Sequence, residues 1–109
     1  MWIRNSDPHP VPTVPANAPT ASLELDEPIT VATGDISVCK LKLKDKTTKP
    51  KTDVMIWSNG NSDIVVGWTL STVDEDYCVF ASVLNTSRST LVLKKGQALA
   101  QCASVVTEF

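Results

Sequence analysis

Apolar and polar side chains alternate along most of the chain after residue 28. The clearest example is 36–44, where Ile36, Val38, Leu41 and Leu43 are interleaved with lysines. A period of two is typical of a β-strand, and we expect these four apolar side chains on one face and the lysines on the other. Further apolar segments of strand composition lie at 29–33, 54–57, 64–70, 78–84, 91–93, 99–102 and 105–106. No segment has the helical i, i+3, i+4, i+7 spacing with caps, so the pattern predicts an all-β domain.

Polar segments separate these strands. Turns are predicted at 34–35, 45–53, 58–61, 73–77 and 85–90. Gly67 interrupts the segment 64–70, and a glycine within a strand favours a bulge there. We expect Trp57 and Trp68, which lie in or beside these strands, to pack in the core or at an interface because an exposed tryptophan leaves a large apolar surface in water.

The N-terminal part of the chain has a different composition. Five of the seven prolines fall between Pro8 and Pro19. Proline removes backbone donors and favours extended, solvated chain, so residues 1–27 are predicted to form a flexible or polyproline-like arm and 28–109 the folded domain. In the alternative interpretation the arm lies along a neighbouring subunit, anchored by Trp2 and Ile3.

Charge and composition narrow the class of protein. The 109 residues are 42% apolar and 20% charged, with a formal charge of −2, which is ordinary for one soluble domain. There is no apolar segment of bilayer length and no secretory h-region near the start, so we expect an intracellular or virion location and no membrane partner. Six of the eight lysines lie between Lys40 and Lys51. They are interpreted as a solvated face or, alternatively, as a weak phosphate-contacting patch, and nucleic acid is an unlikely partner because stacking aromatics are missing between them.

Few residues of the kind that carry enzyme chemistry are present. Cys39, Cys78 and Cys102 are odd in number and widely spaced, and His9 is the only histidine. A disulfide framework or zinc site needs closely spaced ligands, and a nucleophile–histidine pair needs a histidine in the folded domain. The three cysteines are therefore predicted to be small buried thiols.

Three segments of the second half carry a resemblance. Asn85, Gly96, Ala100 and Gln101 stand in the order N-x10-G-x3-A-Q, the segment 72–77 reads TVDEDY, and 64–67 reads IVVG. In this order and spacing the three segments resemble the trimeric dUTPase family.

The resemblance implies a small β-clip, or jelly-roll-like, subunit that forms a homotrimer with sites at subunit boundaries. In active members the residue that matches Asp74 activates water, the residue that matches Tyr77 packs on the deoxyribose, and the serine that matches Ser58 lies in the phosphate-binding segment. The family also uses magnesium. Here Cys78 and Val79 stand where the family has Arg-Gly or Gln-Gly, the arginine beside Ser58 is missing, and no magnesium motif is evident. We therefore expect no catalytic residues, no metal and no cofactor.

A second resemblance favours the same conclusion. The segments 83–87 (VLNTS) and 94–100 (KKGQALA) are similar to segments of Ty3/gypsy-type retroelement polyproteins, which look like dUTPase folds without catalytic residues. Viral structural proteins are a related possibility. The sequence is thus interpreted as a non-catalytic trimeric β-domain that serves in assembly, with itself and, through the arm, other subunits as partners. Two alternatives stay open, a divergent dUTP-binding or dUTP-hydrolysing enzyme and an unrelated β-sandwich binding module.

Overall fold

The structure is a computed structural model that describes residues 11–46, 48–60 and 63–108. This part of the chain is all β, as predicted. Its strands are β1 (Val11–Thr13), β2 (Ala21–Leu25), β3 (Ile29–Val31), β4 (Ile36–Leu43), β5 (Asp53–Ser58), β6 (Ile64–Val66), β7 (Thr69–Thr72), β8 (Cys78–Asn85), β9 (Leu91–Leu93), β10 (Ala98–Ser104) and β11 (Val106–Glu108). Within the described residues there is no helix that is long and apolar enough to cross a membrane.

Seven of the strands form one antiparallel sheet in the order β6-β8-β4-β2-β10-β5-β7. Its two edge strands, β6 and β7, are consecutive in the chain and are joined by only Gly67 and Trp68. Because so short a link spans only about 10 Å, the two edges lie close together and the sheet curls into a half-barrel. Two-stranded pairs of β3 with β9 and of β1 with β11 complete the fold.

The concave side of the curled sheet holds the core. Alternate residues of the central strands point into it, and Leu23, Leu41 and Ile56 are fully buried there. All three cysteines are free and buried, which confirms the sequence prediction. Burial raises the pKa of each thiol, and it raises the pKa of Cys102 to about 11.

The prediction of an arm through residue 27 is wrong for Ala21–Leu25. This segment is β2, the middle strand of the large sheet, and its Leu23 and Leu25 are buried. Pro19 and Pro28 lie outside the strand, so neither removes a hydrogen-bond donor from the sheet. Val11–Thr13 also pairs, with β11. Residues 1–10, including His9 and the proposed anchors Trp2 and Ile3, lie outside the described residues.

Two further expectations about strands are corrected. The segment around Gly67 is not one bulged strand but two strands at opposite edges of the sheet. In β4, Ile36 and Val38 face outward with the lysines, while Cys39, Leu41 and Leu43 face the core. Ile36 and Val38 are an odd number of residues from Leu41 and Leu43, and an unbroken period of two places such residues on opposite faces.

Candidate functional site at the Asp74–Tyr77 turn

Asp74 closes the turn between β7 and β8 with its own side chain. Its Oδ1 atom accepts hydrogen bonds from the amides of Asp76 (2.8 Å) and Cys78 (2.9 Å). The backbone adds a bond from the Tyr77 amide to the Asp74 carbonyl (3.0 Å). Aspartate favours such turns because its short carboxylate reaches the backbone two residues on. The carboxylate oxygen that was matched to water activation therefore has a structural role in the turn.

Tyr77 is held in an uncommon backbone conformation at the end of this turn. Its φ is 62°, in the left-handed region that a bulky residue rarely adopts. The carbonyl of Tyr77 accepts from the Leu43 amide (2.9 Å), and the Lys46 Nζ atom lies 5.3 Å from the centre of its ring. The half-buried Tyr77 side chain also packs against the hydrophobic core.

A polar cleft of about 380 Å³ opens beside Tyr77. It is lined by three lysines and three carboxylates: Lys40, Lys42, Lys46, Asp26, Glu75 and Asp76. Cys78 also lines it, and burial first, then the charges of Asp26 and Asp74, raise the pKa of this thiol. The lysines supply positive charge, but the neighbouring carboxylates offset much of it. The cleft is thus a mixed-charge surface with one aromatic ring.

Ser58 lies far from this turn within one chain. The Val73 amide donates to the Thr52 carbonyl (2.9 Å), so the Asp74–Tyr77 turn lies near the start of β5. Ser58 is the last residue of β5, six residues further along, which corresponds to roughly 20 Å of strand. A site that uses both Ser58 and Tyr77 would therefore need a second copy of the chain.

Asn85 is the one buried polar residue among those that the structure describes. Its Nδ2 group donates to the carbonyls of Val31 (2.8 Å) and Ser89 (2.9 Å), and its Oδ1 atom accepts from the Ser87 amide (2.8 Å). One amide thus ties β3, the end of β8 and the turn before β9 together. The spacing that suggested a family signature falls here on a structural residue.

The other signature residues are Gly96, in the connection between β9 and β10, and Ala100 and Gln101, on β10. Gly96 has a φ of 86°, which glycine adopts without strain, and its amide donates to the Leu25 carbonyl (2.8 Å). Ala100 is fully buried between β2 and β5. Gln101 faces outward, and its Oε1 atom accepts from the Trp57 indole (3.2 Å). Asn85, Gly96 and Ala100 therefore stabilise the fold, and Gln101 lies on its surface.

Two surfaces were not predicted from the sequence. The first, the outer apolar face, consists of Ile36, Val38, Val65 and Phe80 on β4, β6 and β8, and these side chains are 45–70% exposed. The second contains Trp57 and Trp68, whose rings stack with centroids 5.5 Å apart at an interplanar angle of 22°. Trp68 is 74% exposed and therefore does not pack in the core of this chain, so packing at an interface is the part of the prediction that remains for it. The first surface could have been predicted, because the odd spacing of Ile36 and Val38 from Leu41 places them on the face opposite the core.

Metal ligands do not converge in the part of the chain that the structure describes. No group of three or more His, Cys, Asp or Glu residues is placed to hold a metal ion. Magnesium prefers several oxygen ligands at once, and one Asp74 oxygen already accepts two amides. The described residues do not fit a resident magnesium ion.

The comparison with solved structures concerns the fold of the chain. The chain is similar to the dUTPase from Streptococcus mutans, with a TM-score of 0.62 and 16% sequence identity over 91% of this chain and 86% of the dUTPase chain. No family model matches the sequence. No curated protein matches it either. At this identity the likeness defines the fold alone, and it confirms the prediction of a small all-β domain with the dUTPase-like fold.

Proposed function

We propose that this chain is a non-catalytic, self-associating β-domain that forms a homotrimer and serves as an assembly module of retroelement or viral origin. The observation that carries the proposal is the outer apolar face. The proposed origin is based on the resemblance of segments 83–87 and 94–100 to segments of retroelement polyproteins.

The outer apolar face is continuous across three strands. In the strand register Ile36 lies opposite Leu84, and Leu84 lies opposite Val65 on its other side. Val38 and Phe80 extend the same face along β4 and β8, and they are 70% and 54% exposed. Clusters of exposed apolar side chains are typical of protein–protein contacts. A second copy of the chain would remove this surface from water and add to the modest core of a small domain.

The site residues favour a structural role. Hydrolysis of a triphosphate needs cationic groups or metal where charge develops. Between Lys51 and Arg88 the sequence has five carboxylates and no lysine or arginine, so Ser58 has no cationic neighbour in sequence. The Asp74 oxygen that bonds two amides is held in the turn, and this supports a fold-specifying rather than a chemical role.

The assembly proposal is tested by a charge placed on the outer apolar face. Phe80→Lys is expected to shift the sedimentation coefficient from that of an oligomer to that of a monomer, because a buried unpaired ammonium is costly at an interface. Val92→Lys is the matched control, since Val92 is 68% exposed on β9, outside this face. If Phe80→Lys sediments like the unchanged chain, the face is not the contact.

The non-catalytic proposal is tested by incubation with dUTP and magnesium. We expect no pyrophosphate release above the uncatalysed rate. Release that disappears in both Asp74→Asn and Tyr77→Ala would contradict the proposal.

A second candidate function is nucleotide binding at the Tyr77 cleft. It is favoured by the three lysines, Lys40, Lys42 and Lys46, beside a fixed aromatic ring. Titration with dUMP tests it: saturable binding that Tyr77→Ala removes would support this function, and no binding at millimolar dUMP would exclude it.

A further inference from the structure

Trp57 on β5 and Trp68 in the link between β6 and β7 form part of a second exposed apolar surface. Leu70 on β7 lies opposite Met55 on β5, and Trp57 follows Met55 on the same face of that strand. Trp68 stacks on Trp57 and is the most exposed large apolar side chain among the described residues, at 74%. We call Met55, Trp57, Trp68 and Leu70 the tryptophan face. Trp68 and Leu70 are its most exposed members, while Met55 and Trp57 are half-buried.

Gln101 gives this surface a polar group. The Gln101 Oε1 atom accepts from the Trp57 Nε1 atom at 3.2 Å, which fixes the orientation of both side chains. Gln101 is exposed, and its amide keeps an NH2 donor group. Aromatic rings beside a hydrogen-bond donor form the kind of surface that recognises proline-rich segments, because such segments offer pyrrolidine rings and carbonyl acceptors but few amide donors.

Nucleic acid is a less suitable ligand for these stacked rings. Proteins that stack bases on aromatic side chains also line the path of the phosphates with cations. The two strands beside the rings, β5 and β7, contain no lysine or arginine. A proline-rich peptide needs no such cation.

The chain itself contains such a segment. Residues 1–10 precede β1 and contain Pro8 and Pro10, and Pro12 follows within β1. Three residues of chain span at most about 10 Å, so Pro8 lies within that distance of Val11. Val11 pairs with Glu108, and Val105, three residues before Glu108, donates to the Asp53 carbonyl at the start of β5. Trp57 is four residues further along β5, roughly 13 Å from Asp53. The segment is thus attached beside the start of β5 and not at the Trp57 end of its own chain.

We infer that the tryptophan face binds the proline-containing N-terminal segment, residues 1–10, of a neighbouring copy of this chain. The inference rests on the proposed self-association and adds to it an exchange of segments between copies. The rings of Pro8 and Pro10 pack on Trp57 and Trp68, and the NH2 group of Gln101 donates to a carbonyl of the segment.

The indole resonances of the full-length chain test this inference. The ¹⁵N-labelled chain is mixed with unlabelled Ser6→Cys chain that carries a nitroxide at position 6. We expect paramagnetic broadening of the Trp57 and Trp68 indole signals, which is lost when the spin-labelled chain also carries Pro8→Ser and Pro10→Ser. Broadening that appears only when the nitroxide and the ¹⁵N label are on the same chain would overturn the assignment to a neighbouring copy.

A peptide titration gives an independent readout. The ¹⁵N-labelled Pro8→Ser/Pro10→Ser chain receives a synthetic peptide of residues 4–13, and we expect saturable shifts of the Trp57 and Trp68 indoles. Trp68→Ala and Gln101→Ala should weaken the binding of this peptide at least tenfold, and Val92→Ala, at a similarly exposed valine, should leave it unchanged. Equal shifts with a peptide in which every proline is serine, or tighter binding of oligothymidine than of the peptide, would overturn the inference.

The mass of the Pro8→Ser/Pro10→Ser variant separates this inference from the proposed function. Association through the outer apolar face does not use these prolines, so the variant is expected to keep the mass of the unchanged chain. An oligomer without broadening or peptide shifts would overturn only the segment exchange, whereas a monomeric unchanged chain would contradict the proposed function itself.

Discussion

At the scale of single residues, Asp74 shows how the same side chain fits two roles. Its position in the segment 72–77 resembles a catalytic aspartate, yet its Oδ1 atom bonds the amides of Asp76 and Cys78. An acceptor oxygen is sufficient for that structural role, while water activation needs a charged carboxylate. Asparagine at this position keeps an acceptor oxygen but lacks the carboxylate charge.

This difference makes a prediction. Asp74→Ala should lower the free energy of unfolding by about 1–2 kcal/mol, because two amides of the turn lose their acceptor. Asp74→Asn should recover most of that loss. Urea unfolding of the two variants beside the unchanged chain measures both effects. Equal losses in Ala and Asn would mean that the carboxylate charge, and not its acceptor oxygen, holds the turn.

Cys102 predicts how stability changes with pH. Burial, and then the charge of Asp45, raise the pKa of this thiol from 9.0 to about 11 in the folded chain. Below about pH 8 both states keep the proton, and Cys102 adds no pH dependence. Between about pH 9 and 11 the unfolded chain loses this proton while the folded chain keeps it, so the free energy of unfolding falls as pH rises.

The expected loss from Cys102 is on the order of 2 kcal/mol across that window. Urea unfolding at several pH values, compared between the unchanged chain and Cys102→Ala, isolates this contribution from those of the rest of the chain. The variant should lose less stability between pH 8 and 11. Parallel pH profiles for the two chains would show that the thiol ionises equally in both states.

At the scale of elements, β2 is the central strand of the sheet that the sequence pattern did not predict. The segment Ala21–Leu25 has the strand alternation, but it lies between Pro19 and Pro28 and so resembles the proline-rich stretch before it. Pairing with β4 and β10 places it in the middle of the sheet, and pairing partners distant in sequence cannot be read from local pattern. The strands β4, β5 and β8 were predictable because each has an apolar segment of strand composition outside the proline-rich stretch.

The contribution of β2 to the core can be measured through the free energy of unfolding. Leu23 is fully buried, so Leu23→Ala should lower the free energy of unfolding by about 2–5 kcal/mol through the lost burial and the cavity left behind. Glu24→Ala, on the outer face of the same strand, is the control and should change it by less than about 1 kcal/mol. If the two variants were equally stable, this strand would not be part of the core.

The candidate site was predictable only in part, for a physical reason. The segment 73–77 could be placed in a turn from its acidic composition. The distance between Ser58 and Tyr77 depends on strand order, which no short motif specifies. The stack of Trp57 and Trp68 likewise arises because the curled sheet brings the link between its two edge strands beside β5.

At the scale of the whole molecule, the chain has two apolar surfaces on the outside of one small curled sheet. Ile36, Val38, Val65 and Phe80 form one, and Trp57 and Trp68 belong to the other. The Gly67 amide donates to the Ser82 carbonyl (3.4 Å), which places the link between the two surfaces beside β8. Head-to-tail contacts between copies form a closed ring only when the rotation from one copy to the next closes, and a ring of three copies is the arrangement that we propose.

The mass of the unchanged chain in solution tests this account most directly. Light scattering across a dilution series, without ligand, is expected to give three times the chain mass of 11.8 kDa and to hold that value down to low micromolar concentration. A mass of one chain at every concentration would contradict the account, because the outer apolar face would then remain in water with no partner of its own kind.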